Sequence, residues 1–231
     1  MKKMDHDLSV LRQQVIDMGN LTEQMVLQAV DLISFGENRE TINQVLDEEA
    51  RLDQMQLEID KEAVRLLTVY SPVAGDLRLI LSISRITAEL ERIGDHAVNM
   101  CESLHLMISK DQLQVMPEVQ KMGNVVKTMV SDALNSFVQS DIFKAKATIA
   151  SDNMVDALND QVVGELLSLE VVRKMLNGPS EVAGALAQIL IARSLERIAD
   201  QATNISEEVV YMVQGDDIRH QPSAEGLTDA T

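Results

Sequence analysis

The segment from Leu90 to Met100 reads LERIGDHAVNM, and it decides the fold because the chain contains it twice. The second copy, Leu195 to Ile205, reads LERIADQATNI, so seven of the eleven positions are identical at a spacing of 105 residues. Each copy has apolar residues at helical spacing on one side and Glu, Asp and Asn on the other. The repeat therefore predicts two equivalent amphipathic helices, each with a row of oxygen-bearing side chains.

A second pattern supports an internal duplication. The tripeptide Met18 to Asn20 recurs as Met122 to Asn124, 104 residues later. Two separated patterns with almost the same spacing indicate that one structural unit occurs twice. Apolar periodicity predicts helices at residues 7–33, 40–70, 72–109, 117–139 and 180–214, and one from the break at 140–141 to about 176. Short links make neighbouring helices antiparallel, which predicts an all-α fold of two tandem three-helix up-down-up bundles, six long helices in all.

These patterns divide the 231-residue chain into three parts. Residues 1–112 are predicted to form the first three-helix repeat and residues 113–215 the second. Gly215 is expected to cap the sixth helix, because glycine readily adopts the left-handed conformation that ends a helix. Residues 216–231 are polar with little to bury, so they are expected to form a mobile tail.

The composition limits the classes of partner. The net charge is −17, which disfavours binding to nucleic acid or to anionic lipid and suits metal cations or a basic surface on another protein. No apolar run reaches the ~20 residues that cross a bilayer, and the first residues turn polar where a signal peptide turns apolar. We therefore expect a cytoplasmic protein. Cys101, the only cysteine, is expected to be a structural residue rather than a reactive thiol.

The repeated acids are the candidate functional residues. Glu91 and Asp95 lie four residues apart, about 40° around a helix, and Glu196 and Asp200 repeat them. The second and fifth helices also carry acids four residues apart, and these are Glu49, Asp53, Asp152 and Asp156. Each such pair costs about 0.2–0.5 kcal/mol by repulsion. Two explanations stay open: a solvated acidic face, or oxygen ligands for a hard cation whose charge cancels the repulsion.

The paired LERIGD and LERIAD segments resemble the PhoU family, the accessory proteins of bacterial phosphate-specific transport. Pro72, Ala74, Asp76 to Arg78 and Gly215 to His220 also match that family, so the resemblance extends to about residue 220. It implies two three-helix repeats, a homodimer, and multinuclear iron or zinc clusters. Other divalent cations such as Mn or Mg stay open for the same oxygen ligands. The ligands implied are Glu49, Asp53, Glu91, Asp95, Asp152, Asp156, Glu196 and Asp200.

The resemblance also implies a function without enzymatic activity. Family members act as negative regulators when phosphate is plentiful. They relay the state of the phosphate ABC transporter, through its ATPase, to the phosphate-sensing histidine kinase PhoR. The expected partners are therefore a second copy of the chain, the transporter ATPase and the kinase. Nucleic acid is not expected as a partner, and contact with the membrane is expected only through these proteins.

Two other interpretations fit parts of the sequence. A di-iron carboxylate oxidase needs a Glu-x-x-His motif on each of two helices. Glu102 and His105 supply one such motif, but the duplicate position has Glu207 followed by no histidine. A metal-free helical adaptor agrees with the family in everything except the ligands.

Overall fold

The computed structural model describes residues 2–35, 38–108, 115–168 and 179–219. Within these ranges the chain forms six helices and no strand. The helices are α1 (Lys2–Phe35), α2 (Arg39–Tyr70), α3 (Ala74–Ile108), α4 (Pro117–Gln139), α5 (Ile142–Leu166) and α6 (Pro179–Gln214). In this described part of the chain, no helix combines the length and the apolar content needed to span a membrane. The predicted all-α architecture is confirmed.

The helices pack as two bundles of three. Helices α1, α2 and α3 contact one another, as do α4, α5 and α6, and the bundles are joined mainly by α3 against α6 and also by α1 against α4. The apolar sides of the repeated segments form the core at this junction. Their fully buried residues include Ile86, Leu90, Ile93, Ile191, Leu195 and Ile198.

Helices α3 and α6 run antiparallel across an approximate internal two-fold axis. Glu89 bonds Asn204, and Arg85, one turn earlier, pairs with Glu208, one turn later. Asn99 and Ser194, which are the duplicates of Asn204 and Glu89, also lie together, at the opposite side of the interface. The equivalent helices of the two repeats therefore pack against each other. A residue pair on one side of the α3–α6 interface has its duplicated counterpart on the other side.

Two helix boundaries differ from the sequence prediction. Helix α3 begins at Ala74 rather than Pro72. Ser71 takes a left-handed conformation (φ 43°) and its N–H bonds the Leu67 carbonyl, which closes α2, and Ala74 is left-handed as well (φ 49°), so the link extends to residue 74. Helix α5 ends at Leu166, ten residues before the predicted end. The Ser168 N–H bonds the Glu165 carbonyl three residues back, a tightened turn that ends the helix. Residues 169–178 lie outside the described part.

The end of α6 is capped as predicted. Gly215 has φ 80°, and its N–H bonds the Tyr211 carbonyl at 2.8 Å. Residues 216–219, which the sequence assigned to the tail, lie back against the bundle: Ile218 packs on the core and Arg219 reaches Glu208 at 3.1 Å. The predicted boundary at residues 112 and 113, and the tail from residue 220 onward, lie outside the described residues.

Candidate functional site

The first acidic cluster lies between α2 and α3. Glu49 and Asp53 come from α2, and Glu91 and Asp95 come from α3. The two helices approach closely here because Gly94 has no side chain. A Cβ at that position would overlap the side chain of Leu52, the residue that precedes Asp53. The glycine in the middle of α3 therefore brings the α2 acids to the α3 acids.

The carboxylates of this first cluster repel one another. Partial burial raises the pKa of Asp95, and the charge of Asp53 on the neighbouring helix raises it further. Burial and then Asp95 raise the pKa of Glu49, and burial, Asp95 and Asp53 raise that of Glu91. Burial removes water from the charged form, and nearby like charges disfavour it as well. The four acids thus form one electrostatic unit across two helices.

The second acidic cluster repeats this arrangement between α5 and α6. The pKa of Asp152 is raised to about 6, first by burial and then by four nearby acids, in the order Asp156, Asp200, Glu196 and Glu207. The Oδ1 atom of Asp152 is buried and accepts no hydrogen bond from the described residues. A buried carboxylate oxygen without a donor is costly, so this atom has an unused capacity to bind a cation.

The second cluster already holds one cationic side chain. Arg197 lies 3.4 Å from an Asp200 carboxylate oxygen and 3.9 Å from one of Glu196. In the first repeat the equivalent Arg92 bonds Glu89 instead, at 2.9 Å. Partial burial still raises the pKa of Asp200, with Arg197 opposing that effect. The arginine therefore reduces the repulsion in this cluster without removing it.

All eight acids singled out from the sequence lie in these two clusters. They are half-buried between helices or exposed at the edge, rather than aligned on a fully outward face. As they stand, no three His, Cys, Asp or Glu side chains within the described ranges are arranged to hold a metal ion. The donor set nevertheless fits a hard cation, since it consists of carboxylate oxygens and one of these is buried without a partner.

The sequence analysis missed a buried ion-pair network between the repeats. Glu208 on α6 is 3% exposed; its carboxylate pairs with Arg85 of α3 and Arg219 of the C-terminal segment, both at 3.1 Å. The Ser82 hydroxyl donates to the same carboxylate at 3.3 Å. A comparison of the two repeats could have indicated this residue, because the position equivalent to Glu208 in the first copy is the small neutral Ser103.

Comparison with known proteins supports the duplication and the family. A family model described as the PhoU domain matches twice, at residues 15–104 and 119–209. A Pseudomonas putida protein named phosphate-specific transport system accessory protein PhoU homolog is 34% identical, over 95% of this chain and 84% of its own length. The Escherichia coli K12 phosphate-specific transport system accessory protein PhoU is 30% identical, over 93% and 86%.

Two crystal structures have the same fold. PhoU from Pseudomonas aeruginosa superposes with a TM-score of 0.83 at 35% identity, covering 92% of this chain and 99% of the other. The phosphate transport system regulatory protein PhoU from Streptococcus pneumoniae superposes with a TM-score of 0.79 at 25% identity, covering 93% and 99%. The doubled domain match spans most of the sequence and both bundles. This chain belongs to the PhoU family.

Proposed function

We propose that this protein is a non-enzymatic accessory protein of phosphate-specific transport, which restrains phosphate uptake and phosphate-starvation gene expression when phosphate is plentiful. The observation that carries this proposal is the pair of PhoU domains, together with relatives named as accessory proteins of that transport system. The proposed partners are the transporter ATPase, the sensor kinase PhoR and a second copy of the chain. An accessory protein of the ATPase acts on the cytoplasmic side.

We further propose that each repeat binds cations through its acidic cluster. Glu49, Asp53, Glu91 and Asp95 would hold them in the first repeat, and the equivalent α5 and α6 acids in the second. The support is the close approach of like charges, their raised pKa values and the buried unpartnered oxygen of Asp152. A bound cation, iron, zinc, manganese or magnesium, would supply the positive charge that offsets this repulsion.

The regulatory role is tested by deleting the gene and measuring a phosphate-starvation reporter in high phosphate. We expect derepression, restored to normal by the wild-type gene, and co-purification of the protein with the transporter ATPase and the kinase. Full repression in the deletion strain would contradict the regulatory role, since a negative regulator cannot be removed without effect.

The same strain separates a metal-dependent regulator from a metal-free adaptor. The adaptor alternative is favoured by Arg197, which already places a cation beside Asp200. A gene carrying Asp95→Asn and Asp200→Asn should fail to restore repression if the cations are needed. The matched control is Asp160→Asn, an exposed acid of α5 outside the proposed ligand set. Full restoration by the double variant would favour the adaptor.

A further inference from the structure

The α3–α6 interface has two sides related by the internal duplication, and the sides are filled differently. On one of them, which we call the sealed side, side chains of Arg85, Glu89, Arg92, Asn204 and Glu208 close the gap between the helices. The Glu89 carboxylate accepts hydrogen bonds from Arg92 at 2.9 Å and from the Asn204 amide at 3.2 Å. The buried Glu208 carboxylate accepts from Arg85 at 3.1 Å. Two carboxylates thus occupy this side.

The equivalent region on the opposite side, which we call the open side, contains a cavity of about 390 Å³. Its size follows from two substitutions between the repeats. Ser194 stands where the sealed side has Glu89, and Ser103 stands where it has Glu208. Both carboxylates are therefore missing. A cavity of this size falls within the range of small-molecule sites.

The two residues that donate hydrogen bonds to the Glu89 carboxylate have identical counterparts on the open side. Arg197 is the duplicate of Arg92, Asn99 is the duplicate of Asn204, and both line the cavity. Position 194 has no acid, and Arg197 contacts Asp200 at 3.4 Å and Glu196 at 3.9 Å instead. The open side therefore has the two donors without the acceptor that they bind in the other repeat.

The open side also has one cation that the sealed side lacks. Arg193 lines the cavity and is exposed, whereas its duplicate is Ala88. Glu102 lines the cavity too, but the acid is present in both repeats, as Glu207 in the second, so it does not distinguish the sides. Two acids are lost and Arg193 is gained, but Leu190 replaces Arg85, and Arg219, which pairs with Glu208 on the sealed side, does not line the cavity. The open side is therefore more positive than the sealed side by about one charge.

We propose that the open side is a binding site for a small oxyanion, a carboxylate or a phosphate group. Its oxygens would take the place that the Glu89 carboxylate occupies on the sealed side. They would accept hydrogen bonds from the Arg197 guanidinium and the Asn99 amide, with Arg193 adding charge. Charge-assisted hydrogen bonds of this kind are the strong ones in binding sites. The inference comes from the internal comparison and does not depend on the proposed role in phosphate transport.

The test is a calorimetric titration of the full-length protein with inorganic phosphate and, separately, with acetate. Chelator is present in both, so that no metal ion can bind the anion. We expect saturable binding of at least one probe with a Kd of about 1 mM or tighter. Ser194→Glu restores the missing acid, so it should abolish binding. Arg193→Gln should weaken binding by about tenfold, while Arg92→Gln on the sealed side should leave it unchanged.

A gain of function provides an independent check. A double variant, Glu89→Ser with Glu208→Ser, removes both carboxylates from the sealed side and leaves Arg92 and Asn204 without an acceptor and Arg85 without its partner. A second anion site should then appear and the stoichiometry should double. Binding of phosphate alone identifies a phosphoanion ligand, and binding of acetate alone identifies a carboxylate; both support the site. Failure of both probes to saturate, or binding to Ser194→Glu as tight as to the wild type, would overturn it.

Discussion

Replacing Asp152 by asparagine should stabilise the metal-free protein at neutral pH. The side chain lies in the second acidic cluster, where burial and four neighbouring acids raise its pKa to about 6 from an ordinary 3.8. Taken in full, this difference corresponds to about 3 kcal/mol of free energy. The group is only partly buried, so solvent screening reduces the value to about 1–2 kcal/mol. Asparagine removes the charge and keeps the shape, so it should recover that amount.

The effect should depend on pH with a defined sign. The folded state binds the Asp152 proton more tightly than the unfolded state does, so the wild-type free energy of unfolding falls as the pH rises from about 4 to above 6. At about pH 4 the side chain is protonated in the folded state and about half protonated in the unfolded state, so the variant loses most of its advantage. Thermal unfolding with chelator at pH 7.5 should therefore show a Tm about 3–6 °C higher for Asp152→Asn, and little difference at pH 4.

Asp160→Asn is the control, because Asp160 is exposed and does not contribute to the raised pKa of Asp152. It should change Tm little at either pH. With saturating Mn²⁺ the order should reverse, since the wild type gains more from the ion than the asparagine variant. The reasoning is refuted if Asp152→Asn lowers the stability of the chelated protein at pH 7.5.

Three further predictions concern the core. Gly94→Ala should lower the free energy of unfolding in urea by about 1–2 kcal/mol, because the new Cβ overlaps the buried side chain of Leu52. The control Gly164→Ala has open space around it and should raise that free energy by a few tenths to about 1 kcal/mol. Equal effects of the two substitutions would contradict the close approach of α2 and α3. Glu208→Ala should lower the free energy of unfolding by about 2–4 kcal/mol, because its two arginine partners are left unpaired. A change of less than about 0.5 kcal/mol would show that this ion-pair network does not stabilise the fold. The Cys101 thiol is fully buried and burial raises its pKa to about 12, so a thiol reagent should modify it only after unfolding.

The architecture could be predicted because it follows from patterns that are local and repeated. Apolar spacing defines helices, and the exact recurrence of the segment at Leu90 in the segment at Leu195 shows that two helices are equivalent. Two helix boundaries were less predictable. Pro72 correctly indicated the end of α2 at Tyr70, but the start of α3 lies two residues further on, at Ala74. The tightened turn that ends α5 after Leu166 has no glycine or proline at that position.

The membership of the acidic clusters could be predicted, but their environment could not. Spacing alone places Asp152 and Asp156 on one side of a helix. That Asp152 is the acid with a buried, unpartnered oxygen depends on how α5 packs against α6. The network of Glu208 was invisible for the same reason, because its partners Arg85 and Arg219 are distant in sequence.

The central claim is that each repeat carries its own cation-binding cluster of carboxylates. It is tested most directly by equilibrium dialysis against Mn²⁺ followed by elemental analysis of the protein. One variant combines Glu91→Gln with Asp95→Asn, a second combines Glu196→Gln with Asp200→Asn, and a third carries all four. We predict that each of the first two loses about half of the wild-type metal and that the third retains none. A wild-type protein without reproducible metal, or three variants that bind as much as the wild type, would contradict the claim.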